Sequence, residues 1–266
     1  MKLDGAAEIL AADIAFWMEG VVDPRSPLEE LGAAALAVSA RLRALGVVSL
    51  LTTNDGNALH HQLVRSGRAW RHYLRRVDAE QAADDHHHCS GRTEPMLDGI
   101  AAGQFDLARE IASLSPERWR EGHEYEEDHC VGRLLQILVM PEVDLASAAH
   151  VIERFQRYFT DDERPRLGTL QALLARDQAA FDVAFQASID AFQRVNARKL
   201  EQGRLGELHE VAAARVFVEG LAMLRLAEKQ GLVTAPEYDL CPRSARAPAA
   251  TPLPEDADPE MAGWLR

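Results

Sequence analysis

Residues 124–138 read EYEEDHCVGRLLQIL and carry the clearest helical pattern in the chain. Val131, Leu134, Leu135 and Leu138 recur at the i, i+3, i+4, i+7 spacing that places apolar side chains on one face of a helix. The carboxylates that come before this stripe favour a helix N-terminus, because they lie near the positive end of the helix dipole. The segment therefore predicts an amphipathic helix with a buried leucine face.

Helical composition extends outward from this segment in both directions. Ala, Leu, Glu, Gln and Arg dominate the chain, and alternating runs of Val, Ile and Thr are scarce. Proline and glycine positions divide the sequence, and we expect Gly46 and Gly231 to end helices. About ten helices are predicted, over residues 3–19, 26–45, 54–77, 95–102, 105–114, 124–138, 141–159, 163–175, 178–200 and 208–230.

A short internal similarity suggests how these helices pack. The tetrapeptide FDLA at residues 105–108 recurs as FDVA at residues 181–184. We expect an all-α fold of stacked helical hairpins, as a solenoid-like array or an irregular bundle. Residues 1–235 are predicted to form one domain with a possible subdivision near 78–93. Residues 236–266 are rich in proline and predict an extended, non-helical tail on the surface.

Length and charge exclude several classes of protein. The 266 residues are 47% apolar, which suffices for a core, and 42 acidic against 29 basic side chains give a net charge of −13. Strong acidity argues against nucleic acid and anionic membrane as partners.

The longest uncharged stretch, residues 44–54, is about half of the ~20 residues that span a bilayer. Carboxylates close to the N-terminus do not fit a secretory signal, and three cysteines do not fit a disulfide framework. We therefore expect a cytoplasmic protein.

Motifs of the common enzyme classes are missing. The sequence contains no G-x-S-x-G, no phosphate-binding G-x-x-x-x-G-K-[ST], no G-x-G-x-x-G after a strand and no H-E-x-x-H. We therefore predict a binding protein that is not an enzyme and needs no cofactor.

A histidine-rich segment, DDHHHC at residues 84–89, offers the competing enzyme hypothesis. His86, His88 and Cys89, with His129 further on, are residue types that bind zinc. However, consecutive histidines cannot all face one ion, and the spacing matches no zinc motif. A solvated polar loop is the favoured interpretation, with a helical metalloenzyme as the alternative.

An acidic cluster surrounds one tyrosine: Glu121, Glu124, Tyr125, Glu126, Glu127 and Asp128. Three interpretations stay open: a helix start, a surface for a basic partner, and acid–base catalysis. We expect charge reversal at Glu124, Glu126 and Glu127 to weaken partner binding without unfolding the protein.

Two further groups of charges have structural interpretations. Arg215 and Glu219 are four residues apart on the predicted last helix, which predicts a buried ion pair. Five arginines between residues 65 and 76, with Trp70 and Tyr73, resemble a nucleic-acid surface, but contact with the chain's own acidic region is favoured.

The C-terminal third contains VEGLAMLRLAE at 218–228, Gly231-Leu232 and EYDLCP at 237–242. These segments resemble the ending of the bacterial immunity 49 family, and the resemblance extends to EYEEDHC at 124–130 and LLARD at 173–177. It covers most of residues 95–245, and no part of it is catalytic.

This resemblance implies an immunity protein of a polymorphic toxin system, as in contact-dependent or type VI secretion. Such a protein stays in the cytosol and binds a cognate toxin, a nuclease being one candidate, so that the toxin's active site is blocked. We assign the contact surface to the acidic cluster, with Tyr125 as anchor. A helical-repeat scaffold for other proteins is a further alternative.

Overall fold

The computed structural model describes residues 5–157, 164–247 and 249–253. Within these residues the chain forms twelve helices and no strand, apart from an isolated bridge between Tyr238 and Cys241. The helices are α1 (Ala6–Val22), α2 (Leu28–Thr53), α3 (Gly56–Ala79), α4 (Glu94–Ala101), α5 (Phe105–Leu114), α6 (Glu126–Val139), α7 (Leu145–Phe155), α8 (Arg164–Ala175), α9 (Gln178–Glu201), α10 (Leu208–Ala213), α11 (Val218–Lys229) and α12 (Arg243–Arg246). The predicted all-α class is confirmed.

Neighbouring helices pack as hairpins, but the hairpins do not form a linear array. α1 packs on α2, α2 on α3, α4 on α5, α6 on α7, and α8 on α9. Contacts between distant helices, such as α11 with α4 and α10 with α2, tie the hairpins together. Because a solenoid repeat contacts only its neighbours, the architecture is an irregular bundle.

The leucine face of α6 lies in the core as its spacing predicts. Val131, Leu134, Leu135 and Leu138 are all buried. α11 is buried on most of its surface and contacts α4, α8 and α9, which makes it a central helix.

α2 is long and apolar enough to span a membrane by length and composition alone. More than half of its apolar window is buried inside the protein, where it lies against α1 and α3. Buried core helices share this composition. The expected end of this helix at Gly46 is wrong: a Cβ there would lie 3.0 Å from Leu59 Cδ1, so the glycine serves close packing of α2 on α3.

The predicted continuous helix over 208–230 is also wrong. Residues 214–217 leave the helical path between α10 and α11. The Phe217 N–H donates to the Leu240 carbonyl at 2.9 Å, and Val216 and Phe217 are buried. The C-terminal segment therefore takes the hydrogen bond that would continue the helix.

The first part of the predicted surface tail belongs to the core. Cys241 and Ala245 are buried, residues 243–246 form α12, and a His60 ring nitrogen lies 2.9 Å from the Ala245 carbonyl oxygen. The expectation of a non-helical surface tail is therefore wrong for residues 241–246, whereas residues 248 and 254–266 lie outside the described part.

The predicted helix over 141–159 is shorter at its start. α7 begins at Leu145, because the Asp144 carboxylate accepts the N–H groups of Ala146 and Ser147 and caps the helix. Tyr158 and Phe159, at the end of this predicted helix, and Glu163, at the start of the next, lie outside the described residues.

Candidate functional site

The acidic cluster lies at the start of α6 and in the turn before it. Tyr125 immediately precedes the helix in extended conformation, and 74% of its surface is exposed. Glu126, Glu127 and Asp128 occupy the first turn, where carboxylates stabilise the helix dipole. The helix start thus presents an aromatic ring to solvent among negative charges.

Only some of these carboxylates face solvent. Glu121 and Asp128 are exposed and Glu127 is half-buried. Within the described residues, Glu121 and Glu127 form no ion pair. We call Glu121, Tyr125, Glu127 and Asp128 the Tyr125 surface.

Glu124 points inward. Its side chain is 4% exposed, one carboxylate oxygen accepts the Gly91 N–H at 2.7 Å, and the other lies 3.5 Å from His129 Nδ1. Burial acts to raise the pKa of Glu124, but His129 and the Gly91 N–H together hold that pKa below its ordinary value. A Cβ at Gly91 would lie 2.8 Å from Asp128 Cβ, so a glycine is needed for this approach.

Glu126 also serves the fold. Its carboxylate accepts a hydrogen bond from Arg154 on α7, and the Arg154 guanidinium lies 5.1 Å from the centre of the Trp119 ring. The six predicted residues are therefore together in space but divided in role. Because both Glu124 and Glu126 make internal contacts, we now expect charge reversal at these two positions to destabilise the fold as well.

A pocket of about 480 Å³ opens beside Tyr125. It is lined by Cys89, Gly91, Arg92, Gly122, His123, Glu124, Tyr125 and Asp128. The sequence did not predict Arg92 here, because it lies in a loop some thirty residues earlier and no local spacing signals that approach. His123 was also missed, although it directly precedes Glu124 in the chain. The pocket combines a ring, carboxylates and one arginine, which suits an inserted side chain of a partner protein.

The histidine-rich segment forms a loop, and its histidine side chains contact other groups of the protein. The His88 ring nitrogens lie 3.3 Å and 2.9 Å from the Ala83 and Leu114 carbonyl oxygens, and His129 lies 3.2 Å from Ser90 Oγ. The His86 ring instead packs near His123, with ring centres 5.7 Å apart.

No group of three or more His, Cys, Asp or Glu side chains able to hold a metal ion occurs in the described part of the chain. The alternative site of His86, His88, Cys89 and His129 is therefore not assembled. Burial, with a smaller effect of Glu124, raises the pKa of Cys89, which keeps this thiol protonated and a poor nucleophile.

The arginines of α3 bind within the protein. Arg71 Nη1 and Arg75 Nε lie 3.3 Å and 2.7 Å from the Glu110 carboxylate on α5. Trp70 and Tyr73 are buried and present no ring for base stacking. The basic face therefore contacts an acidic residue of its own chain, although on α5 and not in the acidic cluster.

The predicted pair of Arg215 with Glu219 is wrong. Arg215 is exposed in the turn before α11, so the two residues do not share a helix face. Glu219 instead accepts a hydrogen bond from Arg166 Nε on α8. The i, i+4 argument failed because it assumed a continuous helix.

A family model described as Immunity protein 49 matches residues 28–245. The match begins at the first residue of α2, ends within α12 and contains the whole Tyr125 surface. None of the curated proteins and none of the solved structures compared with the chain is significantly similar to it. Because the family model covers most of the chain, the protein belongs to the immunity protein 49 family.

Proposed function

We propose that this immunity protein neutralises a cognate antibacterial toxin by forming a tight one-to-one complex that blocks the toxin's active site. The family supports an immunity role through a toxin partner and a role without catalysis. We further propose that it acts in the cytosol of the cell that makes it, without a cofactor.

The observation that carries the proposed contact is the exposure of Tyr125. A large aromatic side chain that is 74% exposed, beside a pocket and among outward carboxylates, has the character of an interface anchor. Tyrosine is enriched among residues whose removal costs about 2 kcal/mol or more of binding free energy.

Charge supports the class of partner. A chain of net charge −13 that presents Glu121, Glu127 and Asp128 attracts a basic surface and raises the association rate. Nucleases have such surfaces around their substrate groove, so a nuclease toxin suits this proposal.

The first experiment expresses the toxin domain encoded beside this gene in a sensitive bacterium, with and without the full-length protein. We expect rescue, and a stable one-to-one complex of the purified proteins in size-exclusion chromatography with light scattering. Neither rescue nor complex would contradict neutralisation by binding.

Tyr125→Ala tests the anchor. Because about 1.4 kcal/mol corresponds to a tenfold change, we expect Kd to rise roughly thirtyfold. Phe16→Ala is the matched control, since Phe16 is also an exposed aromatic (68%) but lies on α1, outside the family match. Equal affinities of both variants would move the interface away from Tyr125.

Glu121→Lys with Glu127→Lys tests electrostatic attraction. We expect association to slow by about tenfold at low salt, with the difference shrinking as salt screens the charges. The control variant carries Glu8→Lys and Glu201→Lys, which change the net charge by the same amount. These two carboxylates are exposed and lie on α1 and α9. If both pairs slow association alike, total charge and not this surface is responsible.

A further inference from the structure

A second concave surface lies between α2, α4, α9 and the turn before α11. We call it the basic cleft; its volume is about 690 Å³. Leu36, Leu97, Phe192 and Phe217 form apolar parts of its lining, and the rings of Phe192 and Phe217 stack with centres 4.5 Å apart. The cleft therefore offers a hydrophobic floor.

The charged lining is positive, in contrast to the chain as a whole. Five cationic side chains line the cleft, against three carboxylates: Arg43, Arg92, Arg166, Lys199 and Arg204, with Glu94, Glu210 and Glu219. His209, also in the lining, has a pKa lowered by burial and by Arg41, which favours its neutral form.

Some of these charged side chains interact with other groups of the protein itself. Arg43 pairs with the buried Asp98 at 2.7 Å, and Arg166 pairs with Glu219. The Glu210 side chain caps α10.

The other cations are available to a ligand. Lys199 and Arg204 are exposed and Arg92 is half-buried. None of the three forms an ion pair with another residue in the described ranges. Arg92 lies in the loop before α4, Lys199 near the end of α9, and Arg204 in the loop that follows. Their positive charge is thus distributed over three segments.

We propose that the basic cleft receives an acidic segment of the toxin. Carboxylates of that segment would meet Arg92, Lys199 and Arg204, while an apolar side chain packs on Phe192 and Phe217. This inference rests on the proposed function, because it takes the toxin to be the partner.

The lining favours a peptide over a nucleotide. Phosphate sites are commonly built from the free N–H groups of a helix N-terminus. The three helices that begin at this cleft carry carboxylates in their first turns, namely Glu94 in α4, Glu210 in α10 and Glu219 in α11. A polyphosphate at these positions would meet negative charge, whereas a peptide can place separate carboxylates at the cations.

The cleft adjoins the pocket beside Tyr125. Arg92 lines both the cleft and the pocket beside Tyr125. A toxin that contacts Tyr125 can therefore extend into the cleft, and surfaces of opposite sign would fix its orientation.

The test measures toxin affinity with full-length protein carrying Lys199→Glu and Arg204→Glu. We expect Kd to rise tenfold or more, with an unchanged circular dichroism spectrum and melting temperature. Arg194→Glu with Arg243→Glu is the matched control, because both arginines are exposed and the net charge changes equally. The control should change Kd less than threefold.

Carbodiimide cross-linking of the complex identifies the chemistry of the ligand, because it joins an amine to a carboxylate in direct contact. The chain has only three lysines, Lys2, Lys199 and Lys229. Lys229 Nζ donates to the Val139 carbonyl at 3.0 Å and lies 4.7 Å from the centre of the Phe105 ring. We expect mass spectrometry to find Lys199 joined to an aspartate or glutamate of the toxin. Lys199→Arg should abolish this product while affinity is kept.

The outcomes separate the two proposals. A toxin that does not bind the wild-type protein overturns both. Binding that the cleft variants leave unchanged, without a Lys199 cross-link, overturns the cleft alone. Weaker binding by the cleft variants without that cross-link, together with displacement of the toxin by ATP, would assign the cleft to a nucleotide and overturn the acidic-peptide proposal.

Discussion

The Tyr125 surface and the basic cleft are neighbours of opposite sign. The first presents carboxylates around an exposed ring, and the second presents cations around an apolar floor. The net charge of −13 has the same sign as the Tyr125 surface and the opposite sign to the basic cleft. Net charge therefore predicts long-range attraction, whereas the sign of a particular concave surface depends on which side chains the fold turns outward.

Both regions divide their charges in the same way. In the acidic cluster, Glu124 turns inward while Glu121 remains outside. In the cleft, Arg43 turns inward to Asp98 while Lys199 and Arg204 remain outside. The charged side chains that face inward should thus control stability, and those that face outward should control affinity for the toxin.

The largest stability effect is expected below the basic cleft, for Arg43→Met. Asp98 is fully buried, paired with Arg43 and hydrogen-bonded by the Ser66 hydroxyl. Burial raises the pKa of Asp98, against the opposing effects of Arg43 and Ser66. Loss of Arg43 leaves a buried carboxyl without its cation and should cost roughly 3–5 kcal/mol in the free energy of unfolding.

Urea denaturation measures this cost, and Arg92→Met is the control from the same cleft. Arg92 forms no ion pair with the described residues, so its loss should cost at most about 1 kcal/mol. Equal costs for the two variants would contradict the division between inward and outward cations.

A smaller effect is expected beneath the Tyr125 surface, where Glu124→Gln should cost about 1–3 kcal/mol in the free energy of unfolding. Glu127→Gln, three residues on, should stay within about 0.5 kcal/mol. Because the pKa of Glu124 is lowered in the folded protein, its carboxylate stabilises the fold above the ordinary glutamate pKa. That contribution disappears as pH falls through the lower folded value.

Denaturation curves between pH 3 and pH 7 would check this dependence. Glu124→Gln should lose stability least on acidification, and Glu127→Gln should follow the wild-type protein. A Glu124 variant with unchanged acid sensitivity would show that its carboxylate is not held by His129 and Gly91.

The helices were predictable because their periodicity is local. The bounds of α5, residues 105–114, follow from the sequence, as does the buried face of α6. The break between α10 and α11 was not predictable, since it depends on a hydrogen bond from Phe217 to the distant Leu240.

At the site, too, contacts between residues that are distant in sequence could not be predicted. An exposed Tyr125 among carboxylates could be expected from its neighbours in sequence. The inward turn of Glu124 could not, because Gly91 lies 33 positions earlier in the chain. Arg92, Lys199 and Arg204 meet at one cleft only through tertiary packing, so the basic cleft has no signature in the sequence.

The smallest of these effects concerns Arg166, whose charge acts on carboxyl groups of both regions. Arg166 pairs with Glu219 in the cleft. Its charge also opposes the rise in the pKa of Asp128, which partial burial of that carboxyl group causes although the residue as a whole is exposed. Both members of the pair are partly exposed, so Arg166→Met should cost about 1–2 kcal/mol, below the cost at Arg43. Arg215→Met should stay within about 0.5 kcal/mol, since Arg215 is exposed. Urea denaturation of the two variants decides which arginine supports Glu219. A larger loss for Arg215→Met than for Arg166→Met would contradict the pairing of α8 with α11 through Arg166 and restore the Arg215–Glu219 pair that helix spacing predicts.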